Sequence, residues 1–154
     1  MKNTCAFRPD RPNLKRLNVT LAYEGISSAV WAAEKLTGLL RKAWSVPKLC
    51  LSPWCFGVLD DPNWGDRVVS ESADADMIVL STSSRIMDQL PPSIEHWLQL
   101  CLSRQHGGDR PIVVALFRCG EVPDDIDSPR IQKVMHLVQQ AGCGFFAPFL
   151  AGPL

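Results

Sequence analysis

The chain has 154 residues, 46% of them hydrophobic, which suits a single domain whose core buries roughly 70% of the unfolded surface. Its 16 basic residues cancel its 16 acidic ones, so it lacks the long-range positive field with which nucleic-acid binders gather phosphates, and no nucleic-acid partner is expected. No run approaches the ~18 to 20 apolar residues of a bilayer span and no apolar secretion signal opens the chain, so a cytoplasmic protein without a membrane partner is expected.

Lys2, Arg8, Arg11, Lys15 and Arg16 sit among Pro9, Pro12 and Asn13, which reads as a flexible leader over residues 1–16. Residues 17–154 then read as one α/β domain. Leu17 to Tyr23 alternates apolar and polar residues and breaks at Glu24-Gly25, as a strand does. Ser27 or Ser28 caps a helix to about Ala43, with Val30, Ala33, Leu36, Leu40 and Trp44 as its apolar stripe. Pro47 stops that helix, and Lys48 to Leu51 begins a short second strand ending near Ser52-Pro53. Trp54 to Gly65 carries Pro53, Gly57, Pro62 and Gly65 around it and reads as a long connection, followed by a short helix over Asp66 to Ala73.

Met77 to Ser81 has no polar alternation, the mark of a parallel strand buried on both faces. Pro91-Pro92 opens a helix with the stripe Ile94, Trp97, Leu98, Cys101 and Leu102, ended by Gly107-Gly108. Pro111 to Phe117 is the clearest central strand. Asp127 or Ser128 caps the last helix, with Pro129 in its first turn and Ile131, Val134, Met135 and Val138 on its buried side. Gly142 closes it, and Gly144 to Leu150 supplies a final strand whose Pro148 argues for an edge position or for the strand's end.

Strand and helix thus alternate, which predicts a three-layer, doubly wound, five-stranded parallel sheet with helices on both faces and strand order 2-1-3-4-5. Ligands of such sheets bind outside the carboxyl ends of the strands where the order reverses. The loops that face this crevice supply the candidate binding residues Gly25, Ser27 and Ser28 after the first strand and Ser81, Thr82, Ser83, Ser84 and Arg85 after the third. A glycine followed by serines at a helix start offers free amides to an anion. The same residues also suffice for an ordinary strand-to-helix turn and a solvated hydroxyl loop.

Trp54 and Trp64 flank the long connection, either as a stacking surface or as a small satellite core. Arg118 next to Cys119 ends the fourth strand, a placement that would lower a thiol pKa if the two side chains met. Cys5, Cys50, Cys55, Cys101, Cys119 and Cys143 are scattered as reduced thiols are, and the histidines fall in separate contexts, so no metal site is expected. Asp60-Asp61 and Asp124-Asp125 sit by prolines and read as loop residues. The chain has no Gly-x-Ser-x-Gly elbow, no P-loop lysine and no three-glycine dinucleotide turn, and therefore no assignable catalytic residue.

Ala75-Asp76-Met77-Ile78-Val79 through Leu90-Pro91-Pro92-Ser93-Ile94-Glu95-His96-Trp97-Leu98 resembles the corresponding stretch of flavodoxin-like NAD(P)H-dependent FMN reductases. The resemblance implies a flavodoxin-like fold and an FMN site in the crevice. Where those enzymes carry a Thr-Pro-x-Tyr-Asn-Gly loop, this chain has Ser81 to Asp88 without the tyrosine or the glycine. A second resemblance is to short bacterial proteins without an assigned activity, carried by Trp54-Cys55-Phe56, Pro62, Ala75 to Val79 and Leu90 to Leu98. Phosphoacceptor receiver domains share the inferred strand order but need an acidic pair after the first strand and an aspartate after the third. Glu24 alone follows the first, and Ser81-Thr82 closes the third.

The expected function is therefore a non-catalytic flavodoxin-like domain without a cofactor, acting through contact with a protein partner in signalling or regulation. The alternatives are an FMN-binding NAD(P)H-dependent reductase and a nucleotide or small-anion sensor at the same crevice.

Overall fold

The computed structural model describes residues 16–43, 49–83, 89–103, 110–119 and 122–147. The sheet holds β1 (Leu17–Tyr23), β2 (Leu49–Cys55), β3 (Met77–Thr82), β4 (Ile112–Cys119), β5 (Val122–Pro123) and β6 (Gly144–Phe146). The helices are α1 (Ile26–Ala43), α2 (Phe56–Leu59), α3 (Pro62–Glu71), α4 (Pro92–Ser103) and α5 (Pro129–Gln140), with a 3-10 turn at Ser72–Asp74. Parallel pairing runs β2-β1-β3-β4, with β6 parallel to β4 at its start and the two-residue β5 antiparallel to it at its end. The five parallel strands have the doubly wound, flavodoxin-like order that the β-α alternation implies.

Crossover handedness places the helices. The step from β1 to β2 runs opposite to the steps β2 to β3, β3 to β4 and β4 to β6, so right-handed connections put α1 on one face and the other helices on the opposite face. The two core clusters divide in this way. Trp31, Ala32, Leu36 and Leu39 of α1 pack with Leu17, Val19, Leu21, Met77, Val79 and Leu116, while α3, α4 and α5 pack on Ile78, Leu80, Val113, Ala115 and Phe117. All of β3 is buried.

Register is set at the amino ends of the strands, where the Asn18 N–H donates to Asp76 Oδ2 (2.9 Å) and the Asp76 N–H donates to the Asn18 carbonyl (2.8 Å). The Ile112 N–H donates to the Asp76 carbonyl (3.1 Å), tying β4 to the same residue. The aspartate of the Ala-Asp-x-Ile-Val segment is thus a structural fastener, at the end of the sheet opposite the crevice.

Several local expectations are corrected. α1 begins at Ile26, with Gly25 before it, and Ser28 reaches back to accept from the Gly25 N–H (3.0 Å). Its buried stripe is rotated from the expected one, because Val30 is 54% exposed whereas Trp31, Ala32, Leu36 and Leu39 are buried. The helix carries two apolar stripes that share little, and the bulk of Trp31 selects the one that meets the sheet. The side chain of Leu40 and all of Trp44 lie outside the described residues.

β2 runs on to Cys55 with Pro53 inside it, which an edge strand permits because one row of its amides has no partner strand. The expected long connection is largely helical. The Asp61 carboxylate accepts from the Asn63 N–H (3.0 Å) and caps α3, whose first position is Pro62. Gly65 is required there, since a Cβ would come within 2.9 Å of the Leu59 carbonyl. The α4 stripe matches expectation residue for residue, while in α5 the buried set is Arg130, Ile131, Val134, Leu137 and Val138. Gly142 closes α5 with φ +72°, a backbone that favours glycine. Gly107-Gly108 and Pro148 fall outside the described residues.

The rotated α1 stripe is tested by two substitutions measured in urea denaturation. Trp31→Ala is expected to cost about 3 to 5 kcal/mol, and Val30→Ala less than about 0.5 kcal/mol.

Candidate functional site

Both loops that follow β1 and β3 leave the sheet at the same edge, as the parallel pairing of Tyr23 with Ser81 requires. They are joined directly. The Glu24 N–H donates to the Ser81 carbonyl (3.0 Å), the Ser81 hydroxyl donates to the Ser28 carbonyl (2.9 Å), and the Ser83 N–H donates to Glu24 Oε1 (3.2 Å). The Ser27 and Ser83 hydroxyls lie 3.1 Å apart. The Ser28 hydroxyl donates to the Gly25 carbonyl (2.8 Å).

The structure therefore brings Gly25, Ser27, Ser28, Ser81, Thr82 and Ser83 together at one edge, as the topology predicted. Ser84 and Arg85 lie outside the described residues. Ser28, Ser81 and Thr82 are buried, and each directs its hydroxyl to the protein's own backbone or to Arg130. Open space surrounds the position a Cβ would take on Gly25, so neither close packing nor an unusual φ demands glycine there.

Arg130, 1% exposed, is the residue that the sequence pattern did not single out. Its Nε and Nη2 donate to the two carboxylate oxygens of Asp124 (2.6 and 3.0 Å), its Nη1 donates to Thr82 Oγ1 (2.7 Å), and Nη2 also donates to the Arg118 carbonyl (3.0 Å). The Ser128 hydroxyl donates to Asp124 Oδ2 (2.6 Å), and Ser128 also caps α5 by accepting from the Ile131 N–H. One guanidinium thus joins β3, β4, the loop after β5 and the start of α5. Burial alone would raise the Asp124 pKa, but the hydrogen bonds from Arg130 and Ser128 and the charge of Arg130 outweigh it and hold the carboxyl below its ordinary value. Burial would likewise lower Arg130, and its bonds and attraction to Asp124 raise it instead.

The guanidinium that meets the Cys119 thiol is that of Arg130, whose Nη2 lies 3.7 Å from Sγ, and not that of the adjacent Arg118. Residues 118 and 119 project to opposite faces of β4, as strand alternation requires. Arg118 lies instead over the Trp31 ring at 4.3 Å from its centroid, with its Nε buried and without a hydrogen-bond partner among the described residues. Cys119 is exposed and lines a cleft of ≈ 290 Å³ with Val122, Asp124 and Arg130.

Trp54 and Trp64 meet with ring centroids 6.4 Å apart, and Arg67 sits 5.5 Å from the Trp64 centroid. Trp54 packs on the core while Trp64 is 43% exposed, so the pair is an extension of the core at the end of β2.

Cys50, Cys55, Cys101, Cys119 and Cys143 are free thiols. Burial pushes the Cys143 thiol up against a weaker lowering by Arg110, which favours its neutral form. Among the described residues no group of three or more His, Cys, Asp or Glu is placed to hold a metal ion, and no helix is long and apolar enough to cross a membrane. Comparison with known proteins finds no matching family model, no matching curated protein and no matching solved structure.

Asp124→Asn leaves Arg130 buried without its counter-charge and is expected to cost about 3 kcal/mol at pH 7. Because the folded pKa of Asp124 lies below its ordinary 3.8, its contribution is complete above that value and disappears as pH falls through the folded pKa. Urea denaturation at pH 7 and at successively lower pH below 3.8 should therefore show the gap between wild type and variant narrowing in acid.

Proposed function

We propose that this chain is a non-catalytic flavodoxin-like domain that holds no cofactor and acts through contact with a protein partner, in signalling or regulation. The observation that carries this reading is the bond from the Ser83 N–H to Glu24 Oε1 at 3.2 Å. A crevice that cradles a phosphate keeps amides free and its surroundings positive. Here a carboxylate has taken one of those amides and adds negative charge at the mouth of the crevice. The Ser81 hydroxyl and the Gly25 amide are likewise engaged with neighbours in the two loops. A flavin phosphate would have to displace Glu24, break the bond that joins the loops and sit beside an anion.

Arg130, which reaches the end of β3 through Thr82, is paired with Asp124 within the protein and fastens elements together. This supports a domain whose output is its surface.

Titration of the protein with FMN, followed by tryptophan fluorescence and by the visible spectrum of the purified protein, tests the reading. The expected outcome is no saturable quenching up to about 100 µM FMN, a range that would reveal any site of physiological strength, and no visible flavin band. Saturable quenching with a bound flavin spectrum would replace this reading with that of an FMN-binding reductase. Selective thermal stabilisation by one nucleotide would replace it with that of a sensor.

A further inference from the structure

We draw no further inference here: the strongest candidate, the cleft at the end of β4 lined by Cys119, Val122, Asp124 and Arg130, carries nothing, because Arg130 and Asp124 bond to each other and nothing among the described residues besides a single exposed thiol and the start of α5 points to a ligand.

Discussion

A strand with no exposed residue can persist only with helices on both of its faces, and β3 is such a strand. Its backbone polar groups are satisfied by parallel neighbours on either side, and its side chains divide between the two core clusters. Parallel neighbours require crossovers, and crossovers of one hand require the strand order to reverse if both faces are to be covered. The reversal lies between β1 and β3. From it follows the meeting of the loops after these two strands at one edge.

That edge is held shut by polar contacts of two kinds. The serine and glutamate bonds between the loops are individually modest, each worth about 1 kcal/mol net. The buried Arg130–Asp124 pair is a larger and more exposed wager for the fold, because either partner alone would be a desolvated charge. Its bonds to Thr82, to the Arg118 carbonyl and indirectly to Ser128 satisfy the donors that make a buried guanidinium tolerable. The pair links segments far apart in sequence, so its main effect is to define where α5 begins relative to β3 and β4.

α1 carries two apolar stripes, and the sheet takes one of them. One stripe, selected by the bulk of Trp31, anchors it to the sheet. The other leaves Ile26 and Val30 in solvent. Arg118 of β4 lies over the Trp31 indole, 4.3 Å from its centroid, and so links β4 to α1 on that face. The loop that carries Glu24 and Gly25 runs directly into α1, whose Ile26 and Val30 are exposed.

Fold class, strand order and the positions of β1, β3, β4 and α4 were determined by the sequence alone, because continuous apolar runs and a single apolar stripe admit one arrangement each. So was the meeting of the Gly25 and Ser81 loops, which is a consequence of topology. The phase of α1 was not, since two stripes compete on that helix and only the volume available over the sheet chooses between them. The path of β2 and the helices after it also needed the tertiary structure: Pro53 is compatible with a strand only at an edge, and Gly65 is required only where α3 approaches the Leu59 carbonyl. The partnership of Arg130 with Asp124 and Thr82 was the least legible feature. An arginine in the first turn of an amphipathic helix looks solvated in one dimension, and its burial exists only once β3, β4 and the loop after β5 converge around it.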